Sequence, residues 1–517
     1  MSRNHGLIVK LKLQGKDAMI NSVLFRCFTI NGYLVFLFAS LLPMPVDAGD
    51  SPNLVFILAD DMGYGDIQAY NPKSKIPTPN LNRLAHEGMR FTDAHTPSAV
   101  CTPTRYGLLT GRYCWRSRLK RGVLNGYSDH LIQENRLTLP RFLKGHGYHT
   151  GVVGKWHLGL DFHRLSNHED IDYTQAVRWG PNDFGFEYSY IIPASLDFPP
   201  YVYLENQQVT GLPDKRQAKQ PFPAYLREGP IGSDFVMEDC LDQLTDKAVG
   251  FLEQNSESEN PFFLYMPLTA PHKPVLPHAR FKGHTKLGPY GDFIVQCDAI
   301  VGRVLESLDA LNLKGSTMVV FSSDNGSFMR RLNDSSVEDH VDDESAQAYR
   351  ADRHTSNGPL RGTKGDVWEA GHRVPFLVRF PGRIKAGFAC QQTICLTDYY
   401  ATVAQLIDRN IPSAAGEDSV SFLSLLHAPE ADHHRPPVIH HSGAGMFAIR
   451  DGRWKLVLGS GSGGREQPRG KAFEKPFALF DLKADLSEKV NLIESHSEVA
   501  ELLEGQFWRI HERGHSR

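Results

Sequence analysis

The sequence predicts an α/β fold in which a large parallel or mixed sheet is sandwiched by helices. Two observations predict it. Four short apolar runs lack polar alternation, as strands buried on both faces do, and amphipathic helical patterns lie between them. A third observation gives the fold a purpose. Polar residues with useful chemistry stand where the runs stop, and ligands in such folds bind outside the carboxyl ends of the strands.

The chain has 517 residues, enough for one large domain and a smaller one. It is 41% hydrophobic and 22% charged with a formal net charge of -3, so no global charge excess draws it to nucleic acid or a membrane surface. Any anion recognition has to be local. Residues 1–48 read as a targeting signal: the apolar run from Tyr33 to Leu42 is too short to span a bilayer and leads to Val46-Asp47-Ala48, where a signal peptidase reads small residues. The expectation is export, periplasmic or secreted, with cleavage near Ala48 and no stable membrane insertion. Met19 is an alternative start that gives a signal of more typical length.

The first predicted strand, from Asn53 to Ala59, ends at Asp60-Asp61, and the second, from Gly147 to Val153, ends at Gly154-Lys155-Trp156-His157. The third, from Pro261 to Met266, leads to Thr269-Ala270-Pro271-His272, and the fourth, from Thr317 to Phe321, ends at Ser322-Ser323-Asp324-Asn325. Helical spacing is clearest over residues 292–311, through Phe293, Cys297, Ile300, Val304 and Leu308, and weaker over about 78–89, 239–254 and 395–408. Of seven cysteines, Cys27 leaves with the signal and Cys297 reads as a small buried hydrophobe. Cys390 and Cys395 are close enough in sequence to bridge, and export permits disulfides.

Asp60, Asp61, Asp324 and Asn325 offer only oxygen ligands, which suit Ca²⁺ or Mg²⁺ better than zinc. Lys155 and His157 share one face of an extended chain and pair a fixed positive charge with a proton carrier. His272 follows an Ala-Pro turn, and Lys364 lies in the glycine-flanked loop Arg361-Gly-Thr-Lys-Gly-Asp366. Arg105 falls four residues after Cys101 and faces back toward it on a first helical turn. The helix amino end and the guanidinium both favour negative charge there. Cys101 therefore occupies a place suited to an anion with several oxygens.

The stretch AVCTPTRYGLLTG from Ala99 to Gly111, and GYHTGVVGKWH from Gly147 to His157, resemble the two signatures of the formylglycine-dependent (type I) sulfatase family, arylsulfatase-like, of the alkaline phosphatase superfamily. The resemblance runs from about Asn53 to the carboxyl-terminal region, including Gly452-Arg-Trp-Lys-Leu456 and Leu479-Phe-Asp-Leu482. It implies that a separate formylglycine-generating maturation enzyme oxidises Cys101 to Cα-formylglycine, an aldehyde whose hydrate attacks the sulfur of a sulfate monoester. The sulfated hydrate then collapses as its second hydroxyl loses a proton, expelling sulfate. The resemblance implies Ca²⁺, in preference to Mg²⁺, held by Asp60, Asp61, residue 101, Asp324 and Asn325. It gives Arg105 an orienting role, places Lys155 and Lys364 on the sulfate oxygens, and makes His157 the base for collapse. His272 becomes the acid that protonates the departing alcohol, and Ser195 a contact to substrate sulfate. The implied substrate is an aryl sulfate or a sulfated carbohydrate. Two alternatives stand beside it: a formylglycine-dependent phosphonate monoester or phosphodiester hydrolase, and a catalytically silent protein that binds sulfated glycans. Every expected position is filled, which disfavours the silent protein.

The resemblance further implies a mostly parallel mixed sheet in a catalytic domain over residues 49–410 and a smaller C-terminal α+β subdomain over 411–517, with an antiparallel sheet and a terminal helix. Residues 447–458 read as a hairpin turning at Asp451-Gly452, and Gly459 to Gly464 as a flexible loop. Helical spacing over 495–513 runs through Val499, Leu502, Leu503 and Phe507. The polar insertion 330–357 reads as a solvated loop at the mouth of the site, with Arg350, Arg353 or His354 as candidates to recognise the leaving group.

Overall fold

A computed structural model of the chain describes residues 51–517 and, ahead of them, a pair of three-residue strands, Phe28–Ile30 and Tyr33–Val35. The remainder of the expected targeting segment, Ala48 included, lies outside the described residues. Among the described residues, no helix is long and apolar enough to cross a membrane.

The first apolar run forms the strand Asn53–Asp60, buried at every residue after Asn53. Successive side chains leave a strand on opposite faces, so Leu54, Phe56 and Leu58 enter one core while Val55, Ile57 and Ala59 enter another. Both faces are apolar for that reason. Phe262–Pro271 and Thr317–Ser323 pair with this strand in parallel on its two sides. His149–Lys155 and then Tyr188–Ile192 continue the parallel set beyond Phe262–Pro271. Arg373–Arg379 joins Thr317–Ser323 antiparallel, and Met89–His95 pairs antiparallel with it in turn, within an 11-stranded sheet. The sheet is large, mixed and parallel at its centre, as expected.

Helices cover both faces. Pro79–Glu87, Cys240–Asn255 and Gly288–Ala310 pack on the Val55 side, where Cys297 is a fully buried hydrophobe. Cys101–Thr110, Leu139–Lys144 and Tyr399–Leu406 pack on the Leu54 side. The four predicted strands are neighbours and parallel, so their carboxyl ends share one rim, which is the condition for their polar residues to meet.

Near the carboxyl terminus, Val438–His441, Phe447–Asp451, Trp454–Val457 and Ala478–Asp481 form a separate four-stranded antiparallel sheet. The terminal helix Ser497–Arg513 lies on it through Ala500, Leu503, Phe507 and Ile510. Leu502, expected on that face, is 58% exposed, because the buried stripe runs through Ala500 and Leu503, one position later than Val499 and Leu502. The hairpin loop is Gly452-Arg453, one residue later than expected, with Gly452 at φ 53, a left-handed conformation that glycine adopts without steric penalty. The glycine-serine stretch 459–464 is not a free loop: Ser462 is buried, its carbonyl accepts from the Val367 amide at 2.8 Å, and a Cβ on Gly464 would meet the Gly365 carbonyl at 2.3 Å.

Two further expectations change. Cys390 and Cys395 are buried and unbridged; the Cys390 thiol donates to the Pro429 carbonyl at 3.3 Å instead. The insertion 330–357 contains two short parallel strands, Arg330–Leu332 and Ala348–Arg350, with Asp339, His340 and His354 buried. Arg353 pairs with Asp339 and Asp342, Arg350 with Asp342 and Asp352, and His354 with Asp66 at 2.9 Å. These three side chains brace the insertion, so the leaving-group role expected of them has no support here.

Where the large sheet meets the small one, His95, His372 and His440 are buried together, with the His372 and His440 rings stacked 3.7 Å apart. Burial, with Lys455 adding to it at His372 and His440, holds all three below the ordinary histidine range. The folded protein keeps them neutral, whereas the unfolded chain protonates them below about pH 6.5. Their contribution to stability is therefore complete above that pH and is lost as pH falls. Urea midpoints are expected to drop from about pH 7 to about pH 5, and His440→Gln to reduce that slope by up to about 1.4 kcal/mol per pH unit. An unchanged slope in the variant refutes the assignment.

Candidate active site

Each predicted site residue reaches the common rim. Asp60 closes the central strand and Asp61 follows it with φ 68, a left-handed turn that swings the second carboxylate beside the first. Asp324 follows the strand Thr317–Ser323, and its Oδ1 accepts from the Asp61 amide at 3.2 Å. Lys155 closes His149–Lys155; ahead of it Gly154, at φ 137, lets the Pro267 carbonyl come within 1.9 Å of where a Cβ would stand. Any other residue there would force the two strands apart.

Cys101 begins the wholly buried helix Cys101–Thr110, with its thiol 3.5 Å from Asp60 Oδ1 and 3.2 Å from Lys364 Nζ. Arg105, one turn on and fully buried, donates through Nε and Nη2 to Asp324 Oδ2 at 3.1 and 2.7 Å and through Nη1 to the Lys155 carbonyl at 2.8 Å. With Nη2 also 3.5 Å from Asp60 Oδ1, it ties three strand ends to the helix. Lys155 Nζ donates to Asp60 Oδ2 and to Ser195 Oγ, both at 2.7 Å. Lys364 Nζ donates to Asp61 Oδ1 at 2.6 Å. Ser195 Oγ also lies 3.3 Å from His272 Nδ1, so it bridges the lysine and the imidazole.

The two histidines have assignable tautomers. His157 Nε2 lies 2.8 Å from the Leu124 carbonyl, which requires a proton on Nε2 and leaves Nδ1 as a buried lone pair without a partner among the described residues. His272 Nδ1 lies 2.5 Å from the Lys273 carbonyl, so its proton sits there and Nε2, 3.4 Å from Ser195 Oγ and 3.6 Å from Asp61 Oδ2, is the unprotonated nitrogen. Burial holds both well below the ordinary range, followed at His157 by Lys155 and Arg105 and at His272 by Lys364 and Lys155.

Burial, with Asp324 next, pushes the Cys101 thiol up to about 12. Burial likewise raises Asp60, while Arg105, working against burial, holds Asp324 below the usual carboxylate range. Asp61 Oδ2 and Asn325 Oδ1 are buried acceptors with no hydrogen-bond partner among the described residues. Ligand atoms of Asp60, Asp61, Cys101 and His272 can lie within 4.8 Å of one another. Three crowded carboxylates, an amide and two unfilled oxygens fit a hard divalent cation.

Asp197 and Lys273 were not singled out from sequence. Asp197 pairs with Arg227 and keeps Oδ1 buried 3.9 Å from His272 Nδ1. Lys273 covers the Tyr225 ring at 4.2 Å, and burial, with Arg465 and Lys364 adding, brings it down to about 8. Their only signal was adjacency: Asp197 lies two residues after Ser195, and Lys273 follows His272.

Residues 52–408 match the Sulfatase family model. The chain is 33% identical to an N-acetylgalactosamine-6-O-sulfatase of Bacteroides thetaiotaomicron, over 88% of this chain and 92% of that one. It is 31% identical to arylsulfatase A of Bos taurus, over 89% of each chain. A solved structure from work on the metabolism of multiple glycosaminoglycans by Bacteroides thetaiotaomicron superposes with a TM-score of 0.77 at 31% identity, covering 89% of this chain and 99% of that one. A rim of buried carboxylates and ammonium groups, on a sheet of this order and with these relatives, makes the chain a member of the sulfatase family of the alkaline phosphatase superfamily and a sulfuric ester hydrolase.

Proposed function

We propose that this protein hydrolyses the sulfate monoester of a sulfated carbohydrate, using residue 101 as a Cα-formylglycine and a Ca²⁺ ion held by Asp60, Asp61, residue 101, Asp324 and Asn325. One observation carries the reading. The Cys101 thiol lies between two buried ammonium-carboxylate pairs, yet burial pushes it up to about 12, so the unmodified side chain is a poor nucleophile in a site built around it. Formylglycine supplies a hydrate oxygen as nucleophile, and Ca²⁺ supplies the charge that favours its ionisation. The Cys101 sulfur marks where that oxygen would stand.

The remaining work belongs to this chain's side chains. Lys155 and Lys364 hold the sulfate oxygens and stabilise charge that builds on them in the transition state. Ser195 orients a sulfate oxygen between Lys155 and His272. His157, with its Nε2 proton engaged by Leu124, takes a proton through Nδ1 when the sulfated residue collapses. His272 is neutral beside the two lysines, and an arriving anion offsets their charge, so it can carry a proton on Nε2 to the leaving alcohol. Arg105 is a positioning residue that fixes Asp324 and the end of the Lys155 strand.

Export with cleavage near Ala48, and oxidation by a separate maturation enzyme, belong to the same reading. N-acetylgalactosamine 6-sulfate is the first substrate to test, because a relative covering most of the chain is named for it. The deciding experiment is mass spectrometry of the peptide carrying residue 101, followed by comparison of sulfate and phosphonate esters at one active-site concentration. Faster phosphonate turnover would overturn the assignment. Calcium is tested separately: chelation is expected to lower the melting temperature and added Ca²⁺ to restore it, through a stabilisation of about 2.7 kcal/mol at a hundred times Kd. Asp61→Asn should abolish that shift; a shift that persists in the variant argues against Asp61 as a ligand.

A further inference from the structure

A cavity of about 690 Å³ opens beside the lysine loop, with Thr363, the residue before Lys364, in its wall. Arg330, Arg331, Arg465 and Lys489 also line it, and none of them has a carboxylate partner among the described residues. Arg331 donates to Asn333 and Arg465 to the Phe328 carbonyl at 3.4 Å. The acids of the same wall are already engaged. Asp366 accepts from the Thr363 and Glu466 amides at 2.8 and 3.0 Å, Glu466 pairs with Arg361 at 2.6 Å, and Glu488 is buried against Lys455 at 2.8 Å. A chain of net charge -3 has thus gathered, in one concave surface, four cations that lack an ion-pair partner among the described residues, against one carboxylate likewise unpaired, that of Asp366, which is held by backbone amides. Such a surface focuses its field and draws anions.

The cavity lies close to the candidate site, with Thr363 of its wall preceding Lys364. Arg465 meets the Phe328 carbonyl, the Phe328 ring lies 5.6 Å from Lys273 Nζ, and Lys273 follows His272. From this juxtaposition we propose that the cavity binds a second anionic group, a carboxylate or a sulfate, on a sugar next to the one carrying the scissile ester. The preferred substrate is then a multiply charged oligosaccharide. This rests on the sulfate ester reading above and names the substrate class of that site.

The test uses three substrates with the full-length mature enzyme: an aryl sulfate, a monosulfated disaccharide containing a uronate, and a disulfated disaccharide. Arg330→Ala/Arg331→Ala removes two exposed cations that touch none of the reacting groups. The variant is expected to raise KM for one or both charged disaccharides by about tenfold with kcat unchanged, while aryl sulfate kinetics stay as in the wild type. Which disaccharide responds tells carboxylate from sulfate. Raised salt should shrink the wild-type advantage, since exposed charges are screened over about 10 Å at 0.1 M. Unchanged KM for both disaccharides, or an equal loss on all three substrates, overturns the inference and leaves the sulfatase reading standing. A wild-type enzyme carrying formylglycine that hydrolyses none of the three overturns both.

Discussion

Cys101→Ala is expected to remove sulfate ester hydrolysis, lowering kcat/KM on the order of 10⁴-fold or more, with the melting temperature nearly unchanged. The size follows from the roles on the rim. In the proposed mechanism Lys155, Lys364 and His157 all act on a group bound to residue 101, so without that group they have nothing to stabilise or deprotonate, and their effects vanish together. The thermal part follows from packing: the thiol is buried, but its neighbours are Asp60 and Lys364, which keep their own ion pairs with Lys155 and Asp61. Cys101→Ser separates chemistry from shape. It supplies one hydroxyl in nearly the same volume, yet a single hydroxyl cannot collapse to an aldehyde, so one equivalent of alcohol should be released while the sulfate stays on the serine. Steady turnover in the alanine variant would falsify the nucleophile assignment.

Glu369→Ala should cost about 3–5 kcal/mol of folding stability. Glu369 is fully buried and faces Lys455 at 3.1 Å, Arg373 at 3.3 Å and Arg450 at 3.6 Å. Against burial, Lys455 first among these holds it well below the usual carboxylate range. Removing the carboxylate leaves Lys455 on Glu488 alone and Arg373 and Arg450 sharing Asp93, two carboxylates for three buried cations in a low-dielectric interior, next to neutral His372. A group with a depressed folded pKa adds stability that is complete above the unfolded value near pH 4.3 and lost as pH falls. The wild type should therefore outlast the variant most at neutral pH, with the gap narrowing in acid. Urea unfolding at several pH values reads this directly, and a loss under about 1 kcal/mol at neutral pH would show that the cluster is not held by Glu369.

Much of the rim was legible because its signals are local. An aspartate pair after an apolar run, or lysine two residues before histidine after another, needs only strand direction to place it. Ser195 was legible only through resemblance: nothing in Ile192-Pro-Ala-Ser-Leu-Asp197 states that its hydroxyl will stand 2.7 Å from Lys155 Nζ. The polar insertion misled for the converse reason. Its acids and bases, read as solvated, find one another across turns, with Arg353 on Asp339 and His354 on Asp66, 288 residues away. Composition records how many charges a segment carries and is silent about which are paired.

By itself the sequence determined the periodicities that make strands and helices, the order in which they come, and the polar residues that end each strand. Those follow from backbone geometry over a few residues at a time. Only the tertiary structure decided which charges are neutralised. It paired Lys155 with Asp60 and Lys364 with Asp61, buried Glu369 among cations, left Cys390 and Cys395 unbridged, and left four cations of one cavity without a carboxylate partner among the described residues. Burial and charge pairing depend on distances between segments hundreds of residues apart, and in a low-dielectric interior those distances set the energy.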